Sequence, residues 1–185
     1  LYICGCHMHD NNALKDNTVV TTVMSNLGLY RAFDRKGIVY EQTAVGDKYV
    51  FECMLKNDYY IGGEQSGHII FKQHANTGDG LLTALKLLEV MKETGKSLKE
   101  LSEDLFIFPQ LLINVPVQDK QQALHDKELL ACVDEVAKEL GDEGRILVRP
   151  SGTEPLVRVM VEAKTDELCD KYVNRVVNFI KSKGL

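Results

Sequence analysis

The chain has 185 residues, 27 acidic against 22 basic, a formal charge of −5 and 44% hydrophobic residues, enough for two modest cores rather than one large one. The acidic balance, with no long basic run, excludes nucleic acid as a partner, because binding a phosphate backbone needs clustered Lys and Arg. No apolar stretch reaches the length of a membrane span and no secretory leader pattern is present, so the expectation is a cytoplasmic chain without a membrane partner, although it lacks an initiator Met.

Five scattered cysteines, Cys4, Cys6, Cys53, Cys132 and Cys169, fit reduced thiols better than a disulfide framework. Cys4, Cys6, His7 and His9 crowd four soft-metal ligands into six residues, yet the second ligand pair that zinc sites show at a distance is missing. No metal site is assigned there, and adventitious metal binding is left open. Residues 18 to 25 are rich in β-branched types and predict a buried strand. Asn26 to Arg35 suits a helix capped by Ser25 or Asn26, and Gly37 to Ala44 a second strand. Asp47 to Lys56 predicts a second helix, with Asp47 as N-cap and Val50, Phe51 and Met54 as its apolar stripe. Strand then helix, twice over, means an α/β domain.

Next comes Gly62-Gly63-Glu64-Gln65-Ser66-Gly67-His68, between Tyr59-Tyr60-Ile61 and Ile69-Ile70-Phe71. The flanks read as short buried strands, with Gly62, Gly63 and Gly67 permitting a sharp reversal between them. Glu64, Ser66 and His68 alternate, so an extended stretch would point all three to one side. An ionised Glu only accepts, whereas Ser and His both donate and accept, a set suited to the hydroxyls of a pyranose edge. A capped hairpin in which Glu64 and His68 merely pair with each other fits the same letters equally well. Lys48 offers a further phosphate or hydroxyl contact, or is a solvated lysine in the first turn of a helix.

Asp79 opens a helix with Leu81, Leu82, Leu85, Leu88 and Met91 at helical spacing and Gly95 as its stop, a stripe predicted to be core. Ser97-Leu98-Lys99-Glu100 has the capping-box pattern and starts a short helix ending near Asp104. A domain boundary follows, dividing residues 1–104 from 105–185. Pro109 to Val117 reads as a strand, Lys127 to Leu140 as a helix closed at Gly141, Arg145 to Val161 as two strands, and Thr165 to Lys181 as a helix capped by Thr165 or Asp166. That order, β-α-β-β-α, predicts an antiparallel sheet with helices against one face.

The two strands of Arg145 to Val161 are joined by Arg149-Pro150-Ser151-Gly152-Thr153-Glu154-Pro155. Here Gly152 is expected to take a positive φ so that successive N–H groups converge as an anion nest. Ser151 and Thr153 add hydroxyl donors, and the planar forks of Arg149 and Arg158 match phosphate oxygens two at a time. A phosphate is the expected occupant. The alternative is an ordinary hairpin with arginines on a solvated face.

Together the two loops resemble the sugar-binding and phosphate-binding loops of the α-D-phosphohexomutases. Thr77-Gly78-Asp79-Gly80, Phe108-Pro109-Gln110, and the runs from Thr18 to Gly28, Val45 to Val50 and Pro155 to Glu162 look like the bacterial phosphoglucosamine mutase branch. The resemblance covers nearly the whole chain, in one order. It implies an α/β mixed-sheet domain, the family's third, followed by its fourth, an α+β domain similar to the TATA-binding protein. It also implies interconversion of glucosamine 6-phosphate and glucosamine 1-phosphate, for amino-sugar nucleotides and cell-wall precursors. Arg149, Ser151, Gly152, Thr153 and Arg158 would clamp the non-reacting phosphate of a hexosamine phosphate. Glu64, Ser66 and Lys48 would hold the sugar, with His68 a hydrogen-bond donor or proton carrier. The family's phosphoserine loop and Asp-rich Mg²⁺ loop have no counterpart in the sequence, so no catalytic nucleophile or metal ligand is assigned. Resemblance therefore implies a C-terminal half, inactive without the family's N-terminal domains, whose full enzyme uses Mg²⁺ and glucose or glucosamine 1,6-bisphosphate. Phosphomannomutase or phosphoglucomutase activity, and a non-catalytic sugar-phosphate-binding module, are the competing readings.

Overall fold

The computed structural model describes residues 1–184, in two compact units, one of residues 1–107 and one beginning at Phe108. The first contains α1 (Tyr2–Asp10), β1 (Thr18–Thr22), α2 (Leu27–Lys36), β2 (Val39–Thr43), α3 (Asp47–Asn57), β3 (Ile61–Gly63), β4 (Ile69–Phe71), α4 (Gly80–Thr94) and α5 (Leu98–Leu101). Its sheet has the order β2-β1-β3-β4, with β1 parallel to β2 and β3, and β4 antiparallel to β3. Successive β1 residues point to opposite faces. Val19 joins Tyr2, Cys4, Phe33, Ile61 and Phe71 in one core, while Val20 joins Val50, Met54 and Ile70 of α3 and β4 in another. The result is an α/β/α sandwich with a mixed sheet, the expected class.

Several local expectations are corrected. The Cys4-to-His9 segment forms most of α1, in which Tyr2, Cys4 and Cys6 are core residues. A Cβ at Gly5 would stand 3.2 Å from Val19 Cγ2, so the missing side chain lets α1 lie close on β1. Strand β1 stops at Thr22, where the Ser25 N–H turns back to the Thr22 carbonyl. Gly46, not Asp47, is the N-cap of α3. Asn26, Asp79 and Ser97 cap α2, α4 and α5 as expected, the last as a complete capping box with Glu100. The leucine stripe of α4 divides. Leu82 packs on the core, but Leu81, Leu85 and Leu88 are exposed, because the sheet covers only one side of this helix.

The second unit contains β5 (Gln110–Pro116), α6 (Lys120–His125), α7 (Lys127–Leu140), β6 (Gly144–Pro150), β7 (Leu156–Ala163) and α8 (Asp166–Lys183). All three strands are antiparallel, in the order β5-β7-β6. Val157, Val159 and Val161 of β7 share a core with Leu129 and Val136 of α7 and with Tyr172, Val173 and Val176 of α8. Helix α6, capped by Asp119, was not foreseen; the rest follows the expected β-α-β-β-α order. Among the described residues no helix is long and apolar enough to cross a membrane.

Candidate functional site

In the first unit the loop from Glu64 to His68 leaves the carboxyl end of β3, beside the carboxyl end of parallel β1. The chain crosses from β2 on one flank of β1 to β3 on the other, so this is where the strand order reverses, the usual place for a ligand in an open α/β sheet. Thr22 at the end of β1 donates to Gln65 Oε1 at 3.3 Å. The loop is a turn, not an extended stretch: the Glu64 carbonyl accepts from the Gly67 N–H, and Gly67 has φ 96°. Its three polar side chains nevertheless converge. Ser66 Oγ lies 3.0 Å and Glu64 Oε2 4.0 Å from His68 Nδ1. Convergence thus comes from the reversal and not from alternation along a strand.

Gly62 and Gly63 sit inside β3 and do not form the reversal. A Cβ on Gly62 would stand 2.8 Å from both Met54 Sδ and Val50 Cγ1, and one on Gly63 would stand 2.7 Å from the His68 carbonyl oxygen. The glycines are therefore required by close approach, of α3 to the sheet and of β3 to β4. That approach brings the start of α3 to the loop, where the Gly46 N–H donates to Glu64 Oε1 at 2.9 Å. Glu64, its side chain 11% exposed, thus places an acceptor at the positive end of α3 and turns its second oxygen toward His68. The imidazole is 60% exposed. Gly78 supports it from behind, since a Cβ there would stand 3.1 Å from His68 Cα. Lys48 is not drawn in: its side chain is 74% exposed and its ammonium lies 3.7 Å from Glu52. Asp79 accepts from the Leu82 N–H as a helix cap.

In the second unit the loop from Ser151 to Pro155 joins β6 to β7, and Arg149 stands directly opposite Arg158 in their register. Directly opposed residues of an antiparallel pair share a face, so two guanidiniums stand side by side where like charges repel. Both Nε atoms are buried without a hydrogen-bond partner among the described residues. Burial, and after it the neighbouring Arg158 charge, holds Arg149 below the usual guanidinium range. Asn114 of β5 opposes Arg158 from the other side, extending a polar row across all three strands. Arg158 has one nearby carboxylate, Glu154 at 3.7 Å, which is exposed.

Ser151 is 2% exposed and braces the loop. Its N–H donates to the Leu156 carbonyl, its Oγ accepts from the Glu154 N–H at 3.3 Å, and the Arg158 guanidinium lies 3.5 Å from that Oγ. Lys120, at the start of α6, donates to the Ser151 carbonyl at 2.8 Å and adds a third cation that sequence reasoning missed, there being no motif around it. Gly152 departs from expectation: it does not take a positive φ, and a Cβ there would meet nothing within 4 Å. Ser151, fixed at both its N–H and its carbonyl, sets the bend instead. Thr153 is exposed at the loop tip. Among the described residues no three His, Cys, Asp or Glu side chains cluster as a metal site, so no chemistry is placed on Mg²⁺ within this chain.

Comparisons with known proteins agree with this architecture. Residues 1–107 match the family description "Phosphoglucomutase/phosphomannomutase, alpha/beta/alpha domain III", and residues 112–179 match "Phosphoglucomutase/phosphomannomutase, C-terminal domain". A phosphoglucosamine mutase of Lachnospira eligens is 61% identical over 184 residues, covering 100% of this chain and 41% of that protein. The phosphoglucosamine mutase of Bacillus subtilis is 56% identical over 183 residues, covering 99% of this chain and 41% of that protein. An N-acetylglucosamine-phosphate mutase, solved in its product complex, superposes with a TM-score of 0.80 at 20% identity, over 97% of this chain and 42% of that one. The Aspergillus fumigatus N-acetylphosphoglucosamine mutase, solved with GlcNAc-6P and magnesium, gives 0.77 at 20% identity, over 100% of this chain and 42% of that one. The chain thus spans about two fifths of the length of these curated relatives. With matched domains accounting for both units in order, this chain belongs to the phosphoglucomutase/phosphomannomutase family.

Proposed function

We propose that the chain is the substrate-gripping C-terminal part of a cytoplasmic phosphoglucosamine mutase, an isomerase that interconverts glucosamine 6-phosphate and glucosamine 1-phosphate. The observation that carries this reading is the opposed pair Arg149 and Arg158, whose buried Nε atoms lack partners. Two partly buried cations side by side are unfavourable until a dianion sits between them, and a phosphoryl group supplies that charge with oxygens spaced for both forks. Ser151 and Lys120 hold the loop in shape, Gly152 leaves room for the ligand, and Thr153 adds a hydroxyl. Glu64, Ser66 and His68 are the sugar-hydroxyl contacts, with His68 the candidate proton carrier and Lys48 at their margin.

A mutase needs such a clamp because both ends of the sugar must reach one phosphoryl donor in turn, while the phosphate that is not reacting stays fixed. The donor serine and the Mg²⁺ ligands belong to the rest of the enzyme, while a 1,6-bisphosphate intermediate would still rest one of its phosphates in this clamp, so the 185-residue chain should bind substrate without turning it over. In the full-length enzyme, Arg158→Ala should raise KM for glucosamine 1-phosphate on the order of 10- to 100-fold, the worth of a charge-assisted hydrogen bond. Unchanged kinetics would remove the clamp. Faster turnover of mannose or glucose phosphates than of glucosamine phosphate would reassign the sugar, and turnover by the isolated chain with a glucose 1,6-bisphosphate primer would overturn its dependence on the other domains.

A further inference from the structure

One group of the phosphate loop works against a phosphate. Glu154 places its Oε2 3.7 Å from Arg158 Nη2, too far for a hydrogen bond but close enough for an ion pair. Its backbone is anchored. The Glu154 N–H donates to Ser151 Oγ, the Glu154 carbonyl accepts from the Leu156 N–H, and the proline that follows disfavours helical angles at this residue. Its side chain is not anchored: it is 57% exposed, so the carboxylate can swing between Arg158 and water about a fixed Cα. An acid here repels the very ligand that the neighbouring arginine attracts. Stability does not account for it, because an exposed ion pair shifts a folding equilibrium by about fivefold at most. Arg149 opposite Arg158, and Lys120 bonded to the Ser151 carbonyl, leave three cations against this one carboxylate. Glu154 therefore tempers the grip without abolishing it.

A mutase must let go as well as hold. Since both ends of the sugar reach one donor in turn, the clamp exchanges one phosphate for the other within each turnover, and a grip with no competitor would retain the first. We propose that Glu154 is the release element of the clamp, its carboxylate closing on Arg158 as a phosphate leaves and being displaced as the next one enters. This inference rests on the reading of the Ser151 loop as a phosphate clamp. Glu154 acts on the ligand through Arg158 and is a positioning residue; no bond is made or broken at it.

Glu154→Gln removes the charge and keeps the shape, and calorimetric titration of the 185-residue chain with glucosamine 6-phosphate and glucosamine 6-sulfate tests the result. At about pH 8 the phosphate ester carries two charges and the sulfate ester one, so the variant should bind the phosphate about fourfold more tightly and the sulfate only about twofold. Equal tightening of both, or of neither, would overturn the proposal. Glu154→Asp, which keeps the charge, should stay near the wild-type affinity for both esters; tightening like that of Glu154→Gln would also overturn it. In the full-length enzyme Glu154→Gln should lower KM and kcat together, whereas a lower KM with unchanged kcat would remove the release role. Arg158→Ala separates this inference from the reading beneath it. If that variant of the 185-residue chain loses the phosphate ester while Glu154→Gln changes nothing, the clamp stands and the release element falls; if the wild-type chain binds neither ester, the clamp itself falls and the release element with it.

Discussion

Arg149 and Arg158 show how a binding residue can be told from a structural one. Opposed like charges cost about 0.2–1 kcal/mol across an antiparallel pair, and an orphaned buried donor adds its desolvation penalty. A fold keeps such a pair only if something outside it gains. Arg149→Leu should therefore stabilise the ligand-free 185-residue chain, by about 0.5–1 kcal/mol in a urea titration, while abolishing stabilisation by inorganic phosphate. Loss of stability would mean that the guanidinium supports the sheet and not a ligand. Glycines divide by the same reasoning. Gly62→Ala would press a methyl against Met54 and Val50 and cost about 1–3 kcal/mol, whereas Gly152→Ala meets open space and should change stability by less than about 0.5 kcal/mol. Both glycines stand out equally in the sequence. Only the neighbours brought up by folding separate a glycine required by packing from one that leaves room for a ligand.

At the scale of elements, what was legible was what local chemistry decides. Asn26, Asp79 and Ser97 cap the helices they precede because a short polar side chain can reach the first free N–H groups. Asp79→Ala should thus destabilise the chain by about 1 kcal/mol in chemical denaturation, with Glu64 and His68 still in register. The Glu100 carboxyl, bonded to the Ser97 hydroxyl and N–H, is held below its usual range. Its contribution to α5 is present above the unfolded-state value and is lost as pH falls through the lowered folded-state value. Illegible elements were those decided by tertiary contact. Helix α1 has little one-sided periodicity, and its burial depends on Gly5 meeting Val19. The opposite error arose in α4, where helical spacing of leucines identifies two apolar sides but not which side its own sheet covers. The candidate sites divide likewise: the residue types of both loops could be read from the sequence, but the Glu64 bond to Gly46, the Lys120 brace and the face-sharing of two arginines needed the register.

At the scale of the molecule, each unit closes its own core. Val157, Val159 and Val161 of β7 meet α7 and α8 through Leu129, Val136, Tyr172, Val173 and Val176, all buried and all contributed by residues beyond 107. The antiparallel sheet is complete in two pairings, β5 with β7 and β7 with β6, and the Asp126 and Thr165 side chains cap α7 and α8 within the same unit. A domain of this size is marginal but large enough to fold when its apolar side chains are gathered on one sheet face, as they are here. Residues 108–185 produced alone should therefore melt cooperatively. Because the arginine pair, Ser151, Gly152 and Lys120 all lie in that unit, inorganic phosphate should raise its melting temperature, and Arg158→Ala should remove the increase without lowering the baseline. A phosphate effect present in the 185-residue chain but lost in a folded 108–185 fragment would show that the clamp needs groups from residues 1–107, and the anion seat would then have to be redrawn across both units.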